Sequence, residues 1–368
     1  TPVPSSAASD VYKRQAGDLM KIFNKYLIKR SFFISLLIFT IFALLDLVFN
    51  FISELENLSD SYTFISALKY VFLSMPHSAM NFLEGACLLG VMISLGISHQ
   101  EGNLNVLRSS GKSPIQIILI SSIGPMILVF SFLFVDELSF REIHLNAQIE
   151  KSLKLSGSQE VPSNTQWVKH ENALISYTNI TSNTIFNVKF VKSASNKAIY
   201  SKTSNSAKIS KNRIKFDDSL QFHSFNGQGN AEAFEDFLFP LVARVSFKDI
   251  ENLSIKDVRK YRLLLRGNLA KEDQLFKMHL DKSFYKRIFY PFSILAIIIF
   301  FGSFIFSSLR DSSPASRIVL AVVGGFVYKV IQDFSISFFI SFSYPIFIGV
   351  ITPAILLLIA SIYLYKKI

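Results

Sequence analysis

Apolar residues dominate six long runs in this chain, at about 31–52, 63–98, 115–135, 288–309, 318–338 and 344–365. Each run has the length of a helix that crosses a bilayer. Pro76 interrupts the second run and predicts a kink there, and Pro114 opens the third, a favourable place for proline. Between the third and fourth runs the pattern changes. Over 173–177, 185–191 and 207–216 apolar and polar positions alternate, and turn-forming clusters at 193–196 and Asn226-Gly227 separate them. That period predicts short antiparallel strands in a sandwich or open roll. Residues 255–282, rich in Leu, Lys, Asp and Glu, read as a helix returning to the membrane. The expected divisions are 1–19 as a non-native leader before Met20, 20–136 with the first three spans, 137–283 as the β-domain and return helix, and 284–368 with the last three.

Short loops orient the chain. Lys21, Lys25, Lys29 and Arg30 precede the first span, Arg108 and Lys112 follow the second, Arg310 and Arg317 follow the fourth, and Lys366 and Lys367 end the chain. The loops after the first and fifth spans carry no Lys or Arg. The positive-inside rule then puts both termini in the cytoplasm and the β-domain outside it.

The cytoplasmic loop at 99–111 is itself patterned. Leu104, Val106 and Leu107 sit at roughly helical spacing, with Asn and Ser on the other face and Gly111 as a stop. Two readings are open: an interfacial hairpin without a task, or a coupling helix that docks on a soluble ATPase.

Composition narrows the class. Half of the residues are hydrophobic, with 37 Phe and 13 Tyr, as suits a membrane bundle. The lone Cys87 excludes a disulfide framework. A formal charge of +11 comes without an aromatic-interleaved basic motif, which argues against a nucleic-acid partner. Gly111-Lys112-Ser113 imitates the end of a phosphate-binding loop, but Val106 stands where that motif needs glycine. No Walker site is present, so any ATPase must be a separate subunit. The His residues show no zinc-protease spacing and no G-x-S-x-G elbow occurs, so neither metal nor covalent catalysis is expected.

Charges inside spans are costly unless they face a partner or a cavity. Asp46, Glu84, Lys329 and Asp333 lie inside spans. Counted at about 1.5 Å per residue, all four fall roughly 21–27 Å from the cytoplasmic face. Lys329 and Asp333 are one helical turn apart and can pair. An internal ion pair and a polar cavity for a charged substrate are both consistent with this.

Several local sequences, in order, resemble the lipopolysaccharide-export permease family LptF/LptG (YjgP/YjgQ). They are Leu73-Ser-Met-Pro76, Leu88-Leu-Gly90, Val106-Leu-Arg-Ser-Ser-Gly111, Phe289-Tyr-Pro291, Ser307-Ser-Leu-Arg310, Gly325-Phe-Val-Tyr328 with Gln332-Asp333, and Pro345 and Pro353. The resemblance runs from Met20 to Ile368 and is nearer the G than the F subunit. It implies a membrane α-helical fold of six transmembrane helices with a periplasmic β-jellyroll between helices three and four. It also implies a half-transporter in the bacterial inner membrane that moves lipopolysaccharide without modifying it. Its partners would be a second, LptF-like half, an LptB-like ATPase dimer that binds ATP and magnesium, and an LptC-like bridge protein. The resemblance places ATPase coupling on Glu101, Asn103, Leu104, Leu107, Arg108 and Gly111, with Leu104 and Leu107 in a groove of the ATPase and Glu101 and Arg108 at its rim. The lipid cavity would use Asp46, Asn50, Glu84, Lys329 and Asp333. The β-domain would present an apolar groove open at one edge, with Ile185, Val188 and Phe190 divided between inward and outward positions.

The chain departs from the family pattern in three places. Gly102-Asn103 replace the usual Ser-Glu of the coupling loop, Asn50 stands where the G subunit often has a basic residue, and Glu84 replaces a usual proline. Two other readings stay open: a scaffold relaying ATPase motion without lipid transport, and an intramembrane enzyme built on Asp46, Glu84 and Asp333.

Overall fold

The computed structural model describes residues 6–156, 166–170, 172–181, 184–194, 197–209, 213–217, 219–225, 232–237, 250–264, 271–306 and 314–367. The turns expected at 195–196 and Asn226-Gly227, and the Ser307–Arg310 motif, lie outside them. Among the described residues, six helical segments are long and apolar enough to cross a membrane. Two compact units emerge: Thr1–Leu45 with Ser78–Val135 and Phe284–Ile368, and Asp46–His77 with Asp136–Ser283.

The first unit is helical. It holds the start of α1 (Ser6–Glu54), α3 (Leu83–Gln100), α4 (Asn103–Ser109), α5 (Pro114–Val135), the part of α8 (Lys271–Phe306) from Phe284 on, and the later spans α9 (Pro314–Ser341) and α10 (Ile346–Lys367). Helix α3 is its centre: residues 86–92 are buried throughout, against α5 and α9 among others. Small residues let the helices meet. A side chain at Gly90 would place its Cβ 2.6 Å from Ser35 Cα, and one at Gly124 would place it 2.4 Å from the Ile28 carbonyl oxygen. Helices this close are held by dispersion rather than by a solvent-driven effect, because lipid is as apolar as their side chains. The outer faces of α1 and α9 stay uncovered: Phe33, Leu37, Ile41 and Leu44 are exposed on one, and Val319, Val323, Phe326 and Val330 on the other.

In the second unit α2 (Phe64–Ser78) carries Pro76 without ending. The break expected at that proline comes just after it, as a tight turn over Ala79–Phe82. Pro76 withdraws one backbone donor and crowds the preceding turn, but the helix tolerates both until the turn takes up the bend. The third span ends at Val135 as expected, and the second unit resumes at Asp136. The helical backbone does not stop at Asp136; it widens into a π-turn over Asp136–Phe140 and continues as α6 (Arg141–Ser156). Buried charge fixes that turn. Asp136 accepts from Arg141 Nη2 at 2.7 Å and lies 2.6 Å from His77 Nδ1. Arg141 Nη1 donates to the carbonyls of Glu251 and Leu253, both at 2.9 Å.

Among the described residues, eight antiparallel strands form one sheet, from β1 (Gln166–His170) and β2 (Ala173–Tyr177) through β3 (Asn179–Thr181), β4 (Thr184–Ala194), β5 (Lys197–Ile209), β6 (Arg213–Phe216) and β7 (Gln221–Ser224) to β8 (Phe234–Asp236). Their order is β1-β2-β4-β5-β6-β8, with β3 also on β4 and β7 also on β5. The alternating run read at 207–216 is two strands, the end of β5 and β6, paired as Ala207 with Phe216 and Ile209 with Ile214. A second correction concerns β4. Ile185, Val188 and Phe190 do not divide between two faces; all three are fully buried in one apolar cluster with Tyr177, Ile214 and Phe216. Asn187 has φ 51°, a left-handed conformation that Asn tolerates better than most residues. It interrupts the alternation, so Ile185, an odd number of positions before Val188, reaches the same cluster.

The inner face is thus apolar, but its side chains are buried where an open groove was expected. One ion pair crosses it. Lys202, 1% exposed, puts Nζ 2.7 Å from Glu235 Oε1 and donates to the Glu232 carbonyl. Tyr200 donates its hydroxyl to the same carboxylate at 2.9 Å, and burial together with that carboxylate raises the phenol above its ordinary pKa. The short return helix α7 (Ile255–Leu264) precedes α8, whose helix begins well before the apolar run it carries.

Candidate functional site

The loop between α3 and α5 is built on two glycines. Gly102 (φ 76°) starts α4 and Gly111 (φ 89°) ends it, both in the left-handed region where a Cβ is strained. Between them the apolar spacing does what it predicts and makes a short helix. What covers that helix is the surprise. Leu104 and Leu107 are 1% and 2% exposed, buried within their own chain. Leu104 lines a small cleft with His99, Asn105, Arg108, Ile305 and Phe306, and the Arg108 guanidinium lies 6.0 Å from the centre of the Phe306 ring. The outward face of α4 consists of Asn105, Val106, Arg108 and Ser109, with Val106 half exposed. Gly111-Lys112-Ser113 forms the turn from α4 into α5, with no strand before it, which rules out a phosphate-binding loop.

Glu101 is also held within the chain. Arg30 grips its carboxylate with both terminal nitrogens, Nη2 to Oε1 at 2.8 Å, while Tyr26 and Asn103 donate to Oε2 at 3.2 and 2.9 Å. Hydrogen bonding from Arg30 keeps the Glu101 carboxyl below the usual carboxylate range.

The charges of the expected cavity are only partly brought together. Glu84, Lys329 and Asp333 are near neighbours in the helical unit, joined by a fourth charge, Lys286 of α8. Asp333 does not pair with Lys329 as the one-turn spacing suggested; its carboxylate is 3.4 Å from Lys286 Nζ. Glu84 is largely buried, and its Oε1 has no hydrogen-bond partner among the described residues. Lys329 lies on the exposed side of α9, near Phe326 and Val330. Asp46 and Asn50 fall in the other unit, Asp46 half-buried and Asn50 exposed. Lys286 went unread because the fourth apolar run starts at 288, while its helix starts at Lys271 and carries Lys286 into the bundle. Its place one turn before Tyr290, in the Phe289-Tyr-Pro291 motif, was the available signal. The Tyr290 hydroxyl donates to the Met80 carbonyl at 3.3 Å, tying α8 to the turn that precedes Glu84.

Among the described residues no group of His, Cys, Asp and Glu is arranged to hold a metal ion. The site's resources are therefore two lysines, two carboxylates and extensive apolar surface. Such a set can bind an anionic amphiphile.

Comparison with known proteins agrees with this chemistry. The family described as lipopolysaccharide export system permease LptF/LptG matches residues 25–367. Lipopolysaccharide export system permease protein LptG of Haemophilus influenzae is 22% identical over 335 residues, covering 88% of this chain and 92% of that protein. The protein of the same name from Escherichia coli K12 is also 22% identical, over 94% of this chain and 98% of its own length.

Proposed function

The chain belongs to the lipopolysaccharide export system permease LptF/LptG family, and from that premise we propose that it is the G-type half of an ATP-driven lipid extractor. The observation that carries the proposal is the match of nearly the whole chain together with its plan, three spans, a sheet domain and three spans. As a permease subunit of the lipopolysaccharide export system, it works in a complex. Its proposed partners are an LptF-like half, an LptB-like ATPase dimer supplying ATP and magnesium chemistry, and an LptC-like protein receiving the lipid. It would sit in the inner membrane with both termini in the cytoplasm and the sheet domain in the periplasm, as the basic loops indicate.

In this account the uncovered faces of α1 and α9 meet the second half and enclose the lipid between them. Acyl chains have apolar walls to lie on, and Lys329, exposed beside those walls, meets a phosphate while Lys286 stays with Asp333. The charge arithmetic favours this. Two lysines and two carboxylates balance when the cavity is empty, so an arriving phosphate needs only to compete for Lys329, which has no short ion pair among the described residues. The lipid then passes to the sheet domain, whose apolar inner face must part to admit acyl chains.

The ATPase would dock on the outward face of α4. Val106→Asp should leave the chain folded and inserted, yet reduce recovery of the ATPase in co-purification by about tenfold or more, as expected for a charge buried at an interface centre. Leu104→Asp should instead damage the chain itself, because that side chain is interior. Normal recovery of the ATPase with Val106→Asp would contradict docking on this face.

A further inference from the structure

Both ends of the loop that carries α4 are fastened to one short stretch of α1. Before the helix, Glu101 takes both terminal nitrogens of Arg30 and the hydroxyl of Tyr26. After it, Lys112 Nζ donates to the Asn24 side-chain oxygen. Arg30 also donates to Tyr26, one helical turn away, so the donors form a connected set. Glu101 and Arg30 are 71 positions apart in the chain, so local geometry does not bring them together.

Stability does not explain this arrangement. The side chains of Arg30 and Glu101 are 16% and 42% exposed, and ion pairs at such sites contribute little to folding. A two-pronged guanidinium–carboxylate contact instead fixes distance and direction. What it fixes is informative. Over residues 28–35, α1 lies against Gly124 and Gly90 with almost no space between backbones. Beyond that stretch one face stays packed, with Phe39 and Ala43 buried, while Leu37, Ile41, Leu44 and Leu45 are exposed. The cytoplasmic half of α1 is therefore held most closely, and further along one face of the helix is open to another surface.

We infer that Arg30 and Glu101, with Asn24 and Lys112, are a clamp that makes α1 move with α4, so that motion of the docking helix reaches the wall of the lipid cavity. This rests on the proposed transport function and adds to it the route by which ATP hydrolysis is felt. Arg30 and Glu101 are positioning residues, acting on the cavity through α1 and α4. Removing the clamp should leave an assembled complex that hydrolyses ATP with less lipid moved per turnover.

The test uses the complete complex, with the second permease half and the ATPase, in vesicles of phosphatidylethanolamine, phosphatidylglycerol and lipopolysaccharide. Lipid released to an added periplasmic acceptor is divided by phosphate produced. Glu101→Gln and Arg30→Gln should each lower that ratio by at least about fivefold, the low end of ordinary coupling between sites. Exchanging the charges, Arg30→Glu with Glu101→Arg, should recover most of the loss. Co-purification of all subunits shows that each variant is assembled. An unchanged ratio in either single variant, or no recovery in the exchanged pair, would overturn the clamp and leave the transport function standing. A wild-type complex that assembles and hydrolyses ATP but releases no lipid would overturn the transport function, and the clamp with it.

Discussion

Gly90→Leu should prevent the helical unit from packing, while Gly85→Leu on the same helix should be tolerated. At Gly90 a Cβ would lie 2.0 Å from Ser35 Oγ and 2.6 Å from Ser35 Cα. The first contact could be relieved by a rotamer; the second is backbone and can be relieved only by moving α1. Overpacking of that kind costs about 3 kcal/mol or more, and the loss extends along the crossing as α1 is levered away. At Gly85 no atom lies within 4 Å of the added Cβ. There the substitution gains roughly 0.5–1 kcal/mol from removing a helical glycine. Thermal unfolding of the detergent-solubilised protein should separate the two variants clearly. Equal melting temperatures would mean that α1 does not lie against α3 at this point.

Arg141→Met should have a comparable effect in the other unit, by a different mechanism. Its guanidinium is 8% exposed and supports three acceptors: the 5%-exposed Asp136 carboxylate and the Glu251 and Leu253 carbonyls. Truncation leaves a buried carboxylate with His77 alone and two carbonyls without this donor. Breaking a buried pair in this way typically costs about 3–5 kcal/mol. The π-turn should then relax, and with it the geometry that carries α5 into α6. Adding Asp136→Leu should recover part of the loss, because the uncompensated charge is gone. Denaturant unfolding of the single and double variants measures both effects. A single variant as stable as the wild type would show that the network does not hold the turn.

How much of this was visible before folding depends on range. The spans were legible because bilayer length and apolar composition are properties of a window of residues. The Leu88-Leu-Gly90 motif was visible as a match, but its reason, the passage of Ser35, lies 55 positions away. The amphipathic spacing of Leu104 and Leu107 correctly defined a face, yet spacing cannot say whether a face meets its own chain or another. Here the end of α8 covers it. Lys286 escaped notice because hydropathy marks where an apolar run begins, whereas a helix begins where its backbone bonds do. Alternation over β4 failed at a single residue, Asn187, whose positive φ has no signal in the apolar pattern. The pair of Glu101 with Arg30 had no local signal either; charge complementarity between distant loops is shared by many pairs that never meet.

The measurement that bears most directly on transport places a photo-crosslinker in β4 of the assembled, lipid-loaded complex. Val188 and Phe190 lie in the apolar interior of the sheet domain, and Lys189 between them is exposed. If lipopolysaccharide crosses through that interior, probes at 188 and 190 should capture it when ATP is supplied and fail without it, while a probe at 189 should capture little in either condition. Capture at 189 equal to that at 188 and 190, or no ATP-dependent capture at any of the three while the complex hydrolyses ATP, would contradict the account.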